Sequence, residues 1–307
     1  MTNGVNEFLL DAEGRGQAVS RPTRPLYWSV RRELWEYRAI YLAPLIVAAL
    51  GFIGFTFSAI GLAGRRRALL LAGDAEKLRE GIGTPYDIVA TLLFFTAMII
   101  AFFYCIDALQ SERRDRSILF WKSVPVSDLT AVLAKALIPL LILPALTFVV
   151  IVATQLLMFL WTSGLLLAHG MSPASTLTYY NVFAQSPIVL YGLAVMALWH
   201  APLYGWLLLI SAWARRWAWL WVVLPAASIA AFERMTSSTS HFGRFLAHRL
   251  IGGFENAFTF KKGGVIDSME QLTPVKFLSA PGLWIGLLFA AGCIAAAVLL
   301  RRHREAM

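Results

Sequence analysis

Apolar residues run through this chain in blocks, uncharged but for Lys135, at roughly 40–63, 88–106, 132–160, 188–214, 217–232 and 283–300. A helix rising about 1.5 Å per residue needs about 20 such residues to cross ~30 Å of hydrocarbon. Five blocks meet that length, and the fifth in order, 217–232, is short. The pattern therefore predicts an all-α polytopic membrane protein with six transmembrane helices, and requires strands nowhere. Pro139 and Pro144 in the third span, Pro202 in the fourth and Pro225 in the fifth each remove a backbone donor. Bends or broken turns are expected there. Between Lys135 and Arg215 lie 79 consecutive positions without Asp, Glu, Lys or Arg, a stretch only lipid tolerates.

Composition agrees: of 307 residues 58% are hydrophobic and 15% charged, against about 25% charged in soluble domains. Mean hydropathy is +0.65. The formal charge of +9 reads as topology rather than as a nucleic-acid site, because most Lys and Arg flank spans. With six spans and a cytoplasmic start, inner segments hold 15 basic residues and outer segments 11. If 217–232 dipped in and returned, the tally would be 18 against 8, so charge alone prefers five spans. Six are favoured because sixteen uncharged residues span when Arg216 and Glu233 snorkel or the bilayer thins. Arg65, Arg66 and Arg67 then fall outside against the usual bias. Asp74, Glu76, Glu80 and Asp87 in the same loop make a folded helical segment of mixed charge plausible there. The expected organisation is a polar tail 1–24, an interfacial helix 25–39 and a transmembrane domain 40–307 with extracytoplasmic segments 64–87, 161–187 and 233–280. No cleavable leader is visible, so the first span is expected to act as an uncleaved anchor. Cys105 and Cys293 lie inside apolar runs and read as inert thiols.

Candidate chemistry is sparse. His200 is the one ionisable side chain well inside a span, and beside Pro202 it reads as a packing residue. Gln155, Thr96, Ser211 and Ser228 read as polar glue between helices. No nucleophile elbow, metal-ligand cluster or phosphate-binding loop is present, so no catalytic, cofactor or metal site is expected, and any ATP used must be hydrolysed elsewhere. An intramembrane enzyme built from Asp107, His200 and Glu233 fails on spacing unless bends gather them.

Two polar segments remain. From Pro25 to Arg38, Tyr27, Val30, Leu34 and Tyr41 share one helical stripe while Arg32 and Glu36 face away. Trp28 and Trp35 suit the headgroup layer, with Arg31, Arg32 and Arg38 as basic flank. This is an amphipathic helix on the membrane surface or simply an orienting flank. Between the second and third spans lies the densest charge, Glu112, Arg113, Arg114, Asp115, Arg116, then Ser117, Ile118, Leu119, Phe120, Trp121, Lys122 and Ser123. Four bulky apolar residues ringed by charge suit a short helix pressed into another protein's groove, or one lying on headgroups.

The string Ser111–Asp128 (S-E-R-R-D-R-S-I-L-F-W-K-S-V-P-V-S-D) resembles that of a bacterial subgroup of ABC-2 type ATP-binding cassette transporter permeases, as do the basic helix before the first span and the six-span layout. The resemblance implies an ABC-2 (type V exporter-like) permease fold in the bacterial cytoplasmic (inner) membrane, with both termini cytoplasmic. It implies that Arg116 to Ser123 form a coupling helix, led by Glu112 to Asp115, seated in an ATPase subunit that binds ATP and magnesium. Trp28 to Arg38, with Leu34 and Trp35, become the connecting helix, and a second permease copy or paralogue completes the unit. The long segment 233–280 departs from shorter members, leaving open how the last two spans meet the outer face. Few ionisable groups line the bundle, so a hydrophobic or amphipathic cargo moved outward (lipid, antimicrobial peptide or drug-like molecule) is expected. The alternative is a membrane-embedded sensor or scaffold that docks a signalling partner without transport. Gly282 and Gly286 form G-x-x-x-G, expected to pack within one chain.

Overall fold

The computed structural model describes residues 24–73, 75–114, 126–236, 241–259, 266 and 268–303. Among these the chain is helical: α1 (Pro25–Glu36), α2 (Ala39–Ser58), α3 (Leu62–Ala72), α4 (Ala75–Asp107), α5 (Gln110–Arg114), α6 (Asp128–Leu137), α7 (Leu143–Ala168), α8 (Ala174–Tyr179), α9 (Val182–Trp213), α10 (Ala218–Thr236), α11 (His241–Ala257), α12 (Pro274–Ser279) and α13 (Pro281–His303). Six of the resulting helices are long and apolar enough to cross a membrane, so the chain is a multi-pass membrane protein in form. The extended pairing among the described residues is one bridge, Phe258 to Leu272.

Local chemistry sets the helix ends. Ser127 accepts a hydrogen bond from the Thr130 amide at 3.1 Å, and Asp128 occupies the first turn of α6 beside the positive end of the helix dipole. Asn181 accepts from the amides of Phe183 and Ala184 and so starts α9. Between α6 and α7 the backbone passes through a π-helical turn, Ile138–Ile142, which carries Pro139. A proline lacks the amide that would continue the ladder, and the local widening absorbs the loss. Helices α9 and α10 run on through Pro202 and Pro225, so the breaks expected there are not needed.

Helix α9 is the axis of the bundle, with 72% of its most apolar window buried, whereas α10 buries 6%. Helices α9 and α13 approach one another backbone to backbone. A side chain on Gly205 would stand 3.0 Å from the Ala290 Cα, and backbone cannot give way. Gly286 faces Pro202 and Arg249, and Gly282 faces Trp199, so the small-residue motif packs inside one chain. Cys105 and Cys293 are free and buried.

The described residues of 233–280 fold back against the bundle. The Glu233 carboxylate accepts from the amides of His241 and Phe242 at the start of α11. Helix α11 then lies on α9, with Gly253 against the Trp199 ring and the Leu250 carbonyl 3.1 Å from His200 Nε2. Trp199 precedes the end of α9 by about 21 Å of helix, short of the ~30 Å a bilayer core needs. Trp199, Phe258, Phe277 and Leu283 form a second apolar cluster that holds this segment down.

Candidate functional site

Charges taken from four distant parts of the sequence converge at one end of the bundle. The Glu33 carboxylate on α1, 1% exposed, receives the Lys135 ammonium on both oxygens at 2.9 and 3.0 Å. It also accepts the Tyr104 hydroxyl at 2.8 Å and Arg32 Nη2 at 2.6 Å. Glu112 on α5 accepts the same Arg32 nitrogen at 2.6 Å, lies 3.2 Å from Lys135 Nζ, and accepts from Arg301 Nη1 on α13. Arg301 Nε reaches Asp128 at 3.0 Å. Three acids, Glu33, Glu112 and Asp128, thus meet three bases, Arg32, Lys135 and Arg301. Burial of charge is tolerated here because each carboxylate has at least one cationic partner within hydrogen-bond reach. Burial would lower the Arg32 guanidinium, yet Glu33 and Glu112 outweigh it and raise its pKa. Glu36, opposite Arg32 at 3.6 Å, is raised by burial and by the nearby charge of Glu33.

A second tier ties α5 and the turn before it to neighbouring helix ends. Tyr37 OH lies 3.2 Å from Asp107 and 2.6 Å from Ser111 Oγ, and burial, with the Asp107 charge, raises its pKa. Arg114 reaches Asp107 at 3.6 Å. Ser211 Oγ accepts from the amides of Leu109 and Gln110 at 3.0 Å. Arg113 donates to the carbonyls of Ser211, Ala212 and Ala214, the orphan acceptors at the C-terminal end of α9. Replacing Arg113 by Met should cost about 1.5–3 kcal/mol, the worth of hydrogen bonds to a charged group. Arg113→Lys should recover only part of it, since an ammonium cannot span three carbonyls as a planar fork does. Chemical denaturation in detergent reads both.

The arrangement corrects one expectation. Arg32 does not face away from the bundle; together with Glu33 it forms the inward, charged side of α1. The outward side carries Trp28 and Trp35, both exposed, with the Arg31 guanidinium 5.3 and 4.7 Å from their rings. That is the composition of a helix lying in a headgroup layer. Val30 and Leu34 pack on the core, Tyr27 is exposed, and Arg38 stands exposed at the entry to α2. Of the expected contact segment, Glu112, Arg113 and Arg114 are as described above. Asp115, Arg116, Ser117, Ile118, Leu119, Phe120, Trp121, Lys122 and Ser123 lie outside the described residues.

Sequence reasoning passed over Glu33, Lys135, Asp128 and Arg301. A signal was present: Val30, Glu33, Leu34 and Tyr37 fall at i, i+3, i+4 and i+7, which places an acid on the buried stripe of α1. Lys135 stands well inside a helix that leads into an uncharged run, where an ionisable residue needs a partner. Of the polar residues inside spans, Gln155 and Ser211 do join helices, Gln155 by donating to Tyr180 OH at 3.1 Å. Thr96 and Ser228 bond back to carbonyls of their own helices. The His200 ring sits between the Met196 and Leu250 carbonyls, a strut between α9 and α11. Asp107, His200 and Glu233 are each engaged with different groups, and no reacting constellation joins them. Among the described residues no three His, Cys, Asp or Glu side chains gather to hold a metal.

The chain matches no protein-family model, no curated protein and no solved structure.

Proposed function

We propose that the chain is the permease subunit of an ATP-binding cassette transporter of the ABC-2 type, exporting a hydrophobic or amphipathic substrate with ATP hydrolysed on a separate subunit. The observation that carries this reading is the ionic cluster. It fastens α1, α5 at the start of the 115–125 segment, the start of α6 and the end of α13 to one another. A load applied to that segment would therefore move three spans and the surface helix together, as rigid-body transmission requires. Exposed Trp28 and Trp35 beside Arg31 suit a helix that slides in the headgroup layer as that unit shifts.

In this reading the clustered end faces the cytoplasm, with both termini on that side. Arg301 beside Glu112 and Asp128 gives the parity six crossings need. The 115–125 segment docks the ATPase, which holds ATP and magnesium. Helix α10, almost wholly exposed along an apolar surface, is where a second permease copy fits. Rotation of the two copies about that seam would open a path between them alternately to each side.

Co-purification from native membranes, with the bound subunit identified by mass, tests this. A nucleotide-hydrolysing subunit in stoichiometric amount is expected. Solute uptake by the purified chain alone in vesicles, driven only by a proton or sodium gradient, would overturn the reading.

A further inference from the structure

At the end of the bundle away from the ionic cluster, an apolar groove of about 600 Å³ runs between the first two spans. Its walls include Leu50, Gly54 and Phe55 of α2 and Pro85, Ile88 and Leu92 of α4. A second hollow of about 280 Å³ continues it, sharing Phe55, Ser58 and Pro85 and ending on Arg65 and Arg66 of α3. Arg66 is only 4% exposed. Its Nη1 donates to the Thr176 hydroxyl at 2.6 Å, while its Nε is buried with no hydrogen-bond partner. No carboxylate among the described residues lies within ion-pair distance of it. Burial lowers its pKa, the mark of a cation held without a counter-charge.

A buried guanidinium with an idle donor is costly unless an anion completes it, and its planar fork matches a phosphate. The groove leading to it carries no charge, and Gly54 leaves it open: a side chain there would meet nothing within 4 Å. We propose that the groove binds one anionic phospholipid, its acyl chain lying between α2 and α4 and its headgroup phosphate on Arg66, with Arg65 at the rim. Helices with a basic pocket between them recognise lipid headgroups in this way. The bound lipid then bridges α2, α3, α4 and, through Thr176, α8. This inference is independent of transport and of which side of the membrane the groove faces.

The test is native mass spectrometry of the whole chain purified in micelles containing equal phosphatidylglycerol and phosphatidylcholine. The unaltered protein should retain one phosphatidylglycerol in preference to phosphatidylcholine. Arg66→Gln should lower that retention about tenfold, the scale of a lost charge-assisted bond. Gly54→Phe, which blocks the chain groove and leaves the cation intact, should lower it as well. Exposed Arg67→Gln should leave it unchanged. Equal retention of the two lipids, retention indifferent to Gly54→Phe, or displacement by inorganic phosphate would overturn the proposal. A Gly54→Phe protein whose oligomeric state falls would show that a second copy occupies the groove instead.

Discussion

Lys135→Met should lower the unfolding free energy by about 3–5 kcal/mol, the cost of breaking a buried ion pair from one side. Lys135 is fully buried and is the sole described partner that contacts both oxygens of Glu33; it also faces Glu112. Methionine keeps much of its volume but leaves the buried Glu33 carboxylate with Arg32 and Tyr104 and without the ammonium. The companion change Glu33→Gln removes the stranded charge. The double variant should therefore be more stable than Lys135→Met alone, with a coupling of about 1–3 kcal/mol in a double-mutant cycle. Denaturant titration of the helical signal in detergent measures all four corners. A single-variant loss under about 1 kcal/mol, the value of an exposed ion pair, would show that the cluster is wetter than its geometry indicates.

On the proposed reading, replacing Phe120 and Trp121 by Ala should abolish co-purification of the nucleotide-hydrolysing subunit while leaving membrane insertion and thermal stability unaltered. Large aromatic anchors at the centre of a charged rim carry a disproportionate share of interface energy, often 2 kcal/mol or more each, which about thirtyfold per residue turns into loss of the complex. Neither residue is a member of the ionic cluster, so insertion and thermal stability serve as the controls. Charge reversal at Lys122 should weaken association more at low salt than at high salt, since a rim charge acts chiefly on encounter. Undiminished co-purification after the double Ala change would exclude segment 115–125 from the proposed interface.

The spans were legible because lipid imposes one simple demand, a long uncharged run, and the sequence meets it at 40–63 or 283–300 without interruption. Helix α1 was legible from Pro25 and the stripe of Val30 and Leu34. Only Arg32 was placed on the wrong side, because hydrophobicity alone marked the stripe and Glu33 buries itself by pairing rather than by being apolar. The cluster as a whole could not be read from spacing. Glu112 and Arg301 are 189 positions apart, and Lys135 and Glu33 are 102 apart, so only the packed bundle brings them together. The fold of 233–280 was hidden for a related reason. Gly253 and Leu250 gain their meaning from Trp199 and His200 on another helix, which no local pattern announces.

Arg301 enters this assembly last. Translation delivers Arg32, Glu33, Glu112, Asp128 and Lys135 well before α13, so a nascent chain holds three acids against two bases until Arg301 arrives. Only the arrival of α13 neutralises that surplus and closes the circuit. Any product that stops short of α13 therefore carries an unbalanced acid at its base.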